Sequence, residues 1–255
     1  MKRIGIIGGM SFESTVHYYE QINRQVNEQA GGLTSADIVL RSVNFGEYCE
    51  LMESGAWNEI ARKLSTEALD LVLLNKCDYV AIATNTMHKV ADKVEGPHAV
   101  SDNIWPPTVN YVDVPLIHIG DCVAEECVAK GFNRVAIIGT KTTMVENFMK
   151  ERLRRNNLDV VDTFEDGEIN EINRIIFEEL CHGKTEWKSH EKILNILMEV
   201  EIRDKKSGGR GFDAAILGCT ELGMLYGDFP GIKNHFAILD STKVHIDRIA
   251  DLCLS

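Results

Sequence analysis

No stretch of the sequence approaches the ~20 apolar residues that a membrane-spanning helix needs. No two cysteines stand in a Cys-x-x-Cys pair, and basic residues are outnumbered. Each absence narrows the possibilities. Lys2 and Arg3 are followed only by a short apolar run that Gly8 and Gly9 interrupt, so neither a secretory leader nor a membrane anchor is expected. The seven cysteines (49, 77, 122, 127, 181, 219 and 253) are odd in number and widely spaced, which fits no disulfide framework and no zinc knuckle. A reducing cytoplasmic setting is the expectation. The net charge of −12 argues against nucleic acid or anionic lipid as partner, but not against a small anion held by local dipoles. Gly5-x-x-Gly8-Gly9 is not the dinucleotide fingerprint, and Gly183-Lys184-Thr185 has Glu178 where a phosphate loop needs its first glycine. No metal and no cofactor are expected.

What remains is a chain whose 44% hydrophobic content suffices for one large or two small folded domains. Short, nearly continuous apolar runs occur at 3–7, 38–43, 79–83, 114–119, 134–138, 212–217 and 236–239. Such runs predict strands covered on both faces. Helical patterns separate them, for example at 15–29, 57–75, 143–156 and 169–181. Strands alternating with helices predict βαβ units around parallel sheets. Residues 103–111 read as loop because Pro106 and Pro107 forbid helix.

The two halves echo each other. RIGIIGGMS at 3–11 aligns with RVAIIGTKT at 134–142, and DYVAIATNT at 78–86 with DAAILGCTE at 213–221. The duplication predicts two pseudo-symmetric three-layer α/β/α domains, with residues 1–114 in the first and 115–235 in the second. Residues 236–255 are expected to complete the first domain. Thr84 and Cys219 become equivalent positions, each just past a buried strand, where open α/β sheets place ligand chemistry. Facing domains would set them on opposite sides of one cleft.

Cys219 lies in Gly218-Cys219-Thr220-Glu221, at a predicted strand-to-helix junction. Free N–H groups and the positive helix end there favour a thiolate; the alternative is an inert buried cysteine. Thr84, Asn85 and Thr86 either cap the next helix or, with Asn85 and Thr86, hold a substrate carboxylate at its N-terminus. His88 either serves the site or caps and packs. Gly8 and Gly9 allow a ligand near the backbone of Met10 and Ser11. Thr140, Thr142 and Thr143 form the matching turn in the second half.

The segments IGIIGGMSFEST, ATNTMHKVAD, VAIIGTKTTM, INRIIFEELCHGK and LGCTELGML resemble the aspartate/glutamate racemase family, in order and over nearly the whole chain. Within the family the chain most resembles the bacterial branch described as L-aspartate/glutamate-specific or broad-specificity amino-acid racemase. The resemblance implies racemisation without pyridoxal phosphate or metal, a small amino-acid substrate, and a homodimer. It implies two groups flanking the substrate α-carbon, here Cys219 as base and Thr84 where many members have a second cysteine. Asn85, Thr86, Thr140, Thr143, Thr220, Glu221, Met10, Ser11 and Met52 are the implied substrate contacts. The family's arginine after the second strand is missing from Asn44-Phe45-Gly46-Glu47-Tyr48, and Cys181 stands near an expected lysine. The substrate is therefore open between aspartate or glutamate and a neutral amino acid such as homoserine. The proline-bearing loop 97–111 is read as a candidate lid. Two other readings stand beside the racemase: a one-cysteine decarboxylase of the same superfamily, and an inactive amino-acid-binding homologue.

Overall fold

The computed structural model describes residues 1–101, 109–228 and 236–255. It divides into two compact units, one of residues 1–83, 87–118 and 249–255, the other of residues 84–86 and 119–248.

The first unit runs β1 (Arg3–Gly8), α1 (Phe12–Ala30), β2 (Asp37–Ser42), α2 (Phe45–Glu53), α3 (Trp57–Leu73) and β3 (Tyr79–Ile82). A 3-10 turn, α4 (Ala91–Glu95), the antiparallel hairpin of β4 (His98–Ser101) and β5 (Val109–Val112), and β6 (Leu116–Ile117) follow. The strands form a parallel sheet ordered β2-β1-β3-β6. β1 is buried from Ile4 to Gly8, which explains its unbroken apolar run. α1 buries Tyr18, Ile22 and Val26 at helical spacing, and α3 buries Ile60, Leu64, Ala68 and Leu71. Each isoleucine, leucine or valine among them, removed from water, contributes about 1.5–3 kcal/mol. Helix α3 approaches β1 so closely that a Cβ on Gly5 would stand 2.9 Å from Leu71.

The second unit runs α5 (Ile119–Ala129), β7 (Arg134–Gly139), α6 (Lys141–Val145), α7 (Phe148–Arg155), β8 (Asp159–Val161) and α8 (Asp166–Arg174). It continues through α9 (Trp187–Lys206), β9 (Ala214–Gly218), α10 (Thr220–Asp228), β10 (Ala237–Asp240) and α11 (Ser241–Leu254). Its parallel sheet is ordered β10-β9-β7-β8. Ala136, Ile138, Ala215 and Leu217 join one apolar cluster while Val135, Ile137, Ala214 and Ile216 join another. Alternate residues of each strand therefore face helices on opposite sides, and the sheet is the middle layer.

The duplication reaches further than the sequence alone indicates. Both sheets have one order, β2-β1-β3-β6 matching β8-β7-β9-β10. Asp78 accepts a hydrogen bond from the Arg3 N–H at 2.8 Å, and Asp213 accepts one from the Arg134 N–H at 2.9 Å. Each aspartate thus fastens the start of one central strand to its neighbour.

The structure corrects several expectations. The strand expected at 236–239 pairs with β9, so it completes the second sheet; only 249–255 cluster with the first unit. The duplicated strand order gives the reason, since β10 is the counterpart of β6. The run at 114–119 is strand only at Leu116–Ile117, and Ile119 already begins α5. The helical pattern at 143–156 is broken at Glu146, whose extended backbone ends α6. That at 169–181 passes from α8 into a π turn, Ile175–Glu179, and a 3-10 turn, Leu180–His182. Within 103–111, residues 109–111 are strand, and the remainder, with Pro106 and Pro107, lies outside the described residues.

Candidate active site

In the second unit the C-terminal ends of three strands bring polar residues to one sheet edge. Gly139 of β7 pairs with Gly218 of β9, and Leu217 of β9 with Asp240 of β10. The next residues along the chain are Thr140, Cys219 and Ser241. Both glycines are dictated by this crowding. A Cβ on Gly139 would lie 2.6 Å from the Gly218 carbonyl oxygen, and one on Gly218 would lie 3.0 Å from Ile137.

Thr140 caps α6 by accepting from the Thr143 N–H, and its Oγ1 lies 3.2 Å from Thr143 Oγ1. The segment 84–86 joins this edge from the end of β3. Thr86 Oγ1 is 3.0 Å from Thr140 Oγ1. Asn85 donates through Nδ2 to Ser241 Oγ at 3.1 Å, and Ser241 donates to the Leu217 carbonyl at 2.6 Å. All five of these side chains, with Thr84, are buried. In that low-dielectric setting each hydrogen bond restricts its partners strongly.

Cys219 is buried at the start of α10, where its thiol donates to Glu221 Oε2 at 3.0 Å. Thr220 donates to the same oxygen at 2.8 Å. Burial pushes the thiol well above its ordinary range, and the adjacent Glu221 carboxylate and Cys181 push the same way. The Glu221 N–H acts in the opposite sense and is outweighed. The helix start therefore does not yield the resting thiolate expected from sequence: the N–H is in place, but desolvation and a neighbouring anion dominate. Other cysteines are raised too, Cys77 and Cys253 to about 11 and Cys122 and Cys127 to about 12, chiefly by burial. The feature that marks Cys219 is its hydrogen bond to a carboxylate.

The remaining sequence candidates lie in the first unit. Met10 is buried in its core, and Ser11 caps α1. Gly9 has a φ of 92° and lies so close to β2 that a Cβ would meet the Val43 oxygen. Gly9 donates to Thr15 Oγ1 at 2.7 Å, and Thr15 donates to the Ser11 carbonyl at 2.8 Å. Met52 is half-buried against the same core. His88 packs edge-on against His118, ring centres 4.5 Å apart, and both are buried. Beyond β2 a groove of about 370 Å³ is lined by Arg41, Asn44, Glu47, Tyr48, Lys63 and Glu67, among others. Its cations are paired: Arg41 with Glu67, Lys63 with Glu47.

Sequence reasoning missed Ser241. The available signal was Asp240-Ser241-Thr242, a polar triplet directly after an apolar strand, like those at 84–86 and 219–221. Among the described residues no three His, Cys, Asp or Glu side chains group as metal ligands. None of the described helices is long and apolar enough to cross a membrane.

A family model described as Asp/Glu/Hydantoin racemase matches residues 7–249. A Yersinia pestis structure assigned to the Asp/Glu racemases is 34% identical, with a TM-score of 0.82 and full coverage of both chains. An aspartate racemase homologue from Pyrococcus horikoshii is 31% identical, again over the whole of both chains, with a TM-score of 0.73. Picrophilus torridus aspartate racemase shares the fold at 17% identity, with a TM-score of 0.64 and coverage of 99% of this chain and 94% of that one.

Proposed function

The chain belongs to the Asp/Glu/Hydantoin racemase family, and from that premise we propose that it interconverts the enantiomers of aspartate or glutamate, with Cys219 as the group that removes the α-proton. The observation that carries the reading is the position of Cys219. It follows a buried parallel strand, sits beside the threonine and asparagine network, and donates its hydrogen to a carboxylate. In this reading Cys219 takes the α-proton from the L-enantiomer as a general base. The electron pair left behind spreads into the substrate carboxylate. Asn85, Thr86 and Thr220 supply the hydrogen-bond donors that stabilise it. Thr84, or a water it orients, returns a proton to the other face.

A neutral substrate such as homoserine is the second reading. It is favoured by the segment 44–48 after β2, which holds no arginine; there Asn44 caps α2 and donates to Glu47. Incubation in deuterated water decides between them. L-Aspartate, L-glutamate and L-homoserine are each followed for α-deuterium incorporation and for appearance of the D-enantiomer. Exchange with inversion of an acidic substrate, and little of homoserine, is the expected result. Absence of exchange in all three, from either enantiomer, would end the racemase reading.

A further inference from the structure

We infer that Ser241 is a positioning residue: it anchors the Asn85 amide, so that Asn85 meets the substrate carboxylate with an N–H donor already in place. The role rests on the racemase reading and adds a residue to it. Asn85 donates through Nδ2 to Ser241 Oγ at 3.1 Å. Ser241 Oγ lies 2.6 Å from the Leu217 carbonyl oxygen and 3.3 Å from Asn85 Oδ1. A serine hydroxyl has one hydrogen to give. The shorter contact, to a carbonyl fixed in β9, takes it. The serine oxygen then faces Asn85 as an acceptor and engages one amide N–H, which leaves the second for the substrate. Strand β9 thus sets the serine, and the serine sets the amide.

The duplication separates this role from folding. β3 pairs Ala81 with Ile117, and β9 pairs Ile216 with Leu239. Ala81 and Ile216 correspond in the aligned halves, so Ile119 stands where the second half has Ser241. Ile119 is as fully buried as Ser241. The sheet plan therefore accepts an apolar residue at this place, whereas a buried hydroxyl is costly unless it is hydrogen-bonded. What the serine adds is a fixed partner for Asn85. Without it, each incoming substrate would have to order the amide itself, at a cost of up to about tenfold in binding.

The test is a double-mutant cycle on racemisation of L-aspartate and L-glutamate, with wild type, Ser241→Ala, Asn85→Ala and the double variant. The substrate carboxylate gains charge as the α-proton leaves, so the losses should fall on kcat more than on KM. S241A should lose about tenfold in kcat/KM, and N85A about 100-fold. Because the serine acts through the asparagine, the double variant should match N85A within about threefold. A serine that only supports the fold would lower activity by the same factor whether or not Asn85 is present. A double variant more than threefold below N85A therefore overturns the inference, and so does S241A within threefold of wild type. If the alanine variant fails to fold, Ser241→Cys takes its place in the cycle under the same criteria, since a thiol fills the space but is a weak hydrogen-bonding group. N85A within threefold of wild type would remove Asn85 from the site, and the role of Ser241 with it. Wild-type enzyme that exchanges neither amino acid fails at the racemase reading itself, and the positioning role falls with that reading.

Discussion

At Cys219 two demands conflict. Burial keeps the thiol protonated, yet in the proposed mechanism it must lose its own proton before it can accept one from carbon. Serine at this position would keep the donor to Glu221 and nearly the same volume. Its hydroxyl is far less acidic than a thiol, so the base would be lost without a cavity being made. Cys219→Ser is therefore expected to lower racemisation by at least about 100-fold, with a melting temperature within a few degrees of wild type. Cys49→Ser, at a half-buried helix position outside the site, should keep nearly full activity. Initial rates and thermal melts of the two variants check this, and C219S turning over at more than a tenth of the wild-type rate would remove Cys219 from the chemistry. The sequence singled out this residue through its neighbours, a buried strand before it and polar residues after it. Its protonation was not legible there, because a pKa depends on which side chains crowd the thiol in space. Glu221 and Cys181 raise it from two and thirty-eight residues away in the chain.

At the scale of elements, strand order explains what the local pattern left open. The central strands β1, β3, β7 and β9 were legible because both their faces are covered, and their apolar runs are unbroken. β8, with three residues, is too short to carry a pattern, and β6 has only two. The assignment of β10 to a sheet depends on pairing, which composition does not encode. The aspartates before β3 and β9 are elements of this pairing with a measurable consequence. Burial works against the charged form of Asp213. The N–H groups of Asn133 and Arg134, and the charges of Arg210 and Arg134, outweigh it and hold the carboxyl below its ordinary range. A folded-state value below the unfolded value of about 3.9 contributes stability above that pH, and the contribution fades as pH falls through the folded value. Asp213→Asn should therefore cost about 1–2 kcal/mol near neutral pH, a figure for hydrogen bonds to a charged group at a partly exposed site. The gap should start to shrink near pH 4 and close as pH falls through the lower folded-state value. Urea melts of both proteins at several pH values read it directly, and a gap that stays constant into acid would contradict the assigned role.

At the scale of the whole molecule, two copies of one sheet plan have been given different residues at matching places. Thr84 follows β3 where Cys219 follows β9, and Thr86 stands where the second half has Glu221. The chain is an amino-acid racemase, and its two enantiomers have equal free energy, so kcat/KM must be the same in both directions whatever the residues. Asymmetry can show only in kcat, in KM and in the exchange of unreacted substrate. A hydroxyl is a poor resting base, so D-substrate recovered before inversion should carry little solvent deuterium, whereas recovered L-substrate should carry more. Thr84→Cys places a second thiol at the equivalent position. Sulfur is larger than oxygen and the threonine methyl is lost, so the new thiol will not sit where the hydroxyl did, and the gain is correspondingly modest. The expected outcome is a kcat from the D-enantiomer raised at least about threefold, with faster deuterium wash-in to unreacted D-substrate, as a thiol's greater acidity predicts. The wash-in to L-substrate, assigned to Cys219 in the proposed mechanism, should change little. Initial rates and mass spectra from pure D- and pure L-substrate measure all four quantities. If wild type exchanges both enantiomers alike and Thr84→Cys alters neither, position 84 is not the second face of the reaction, and another donor must deliver the proton there.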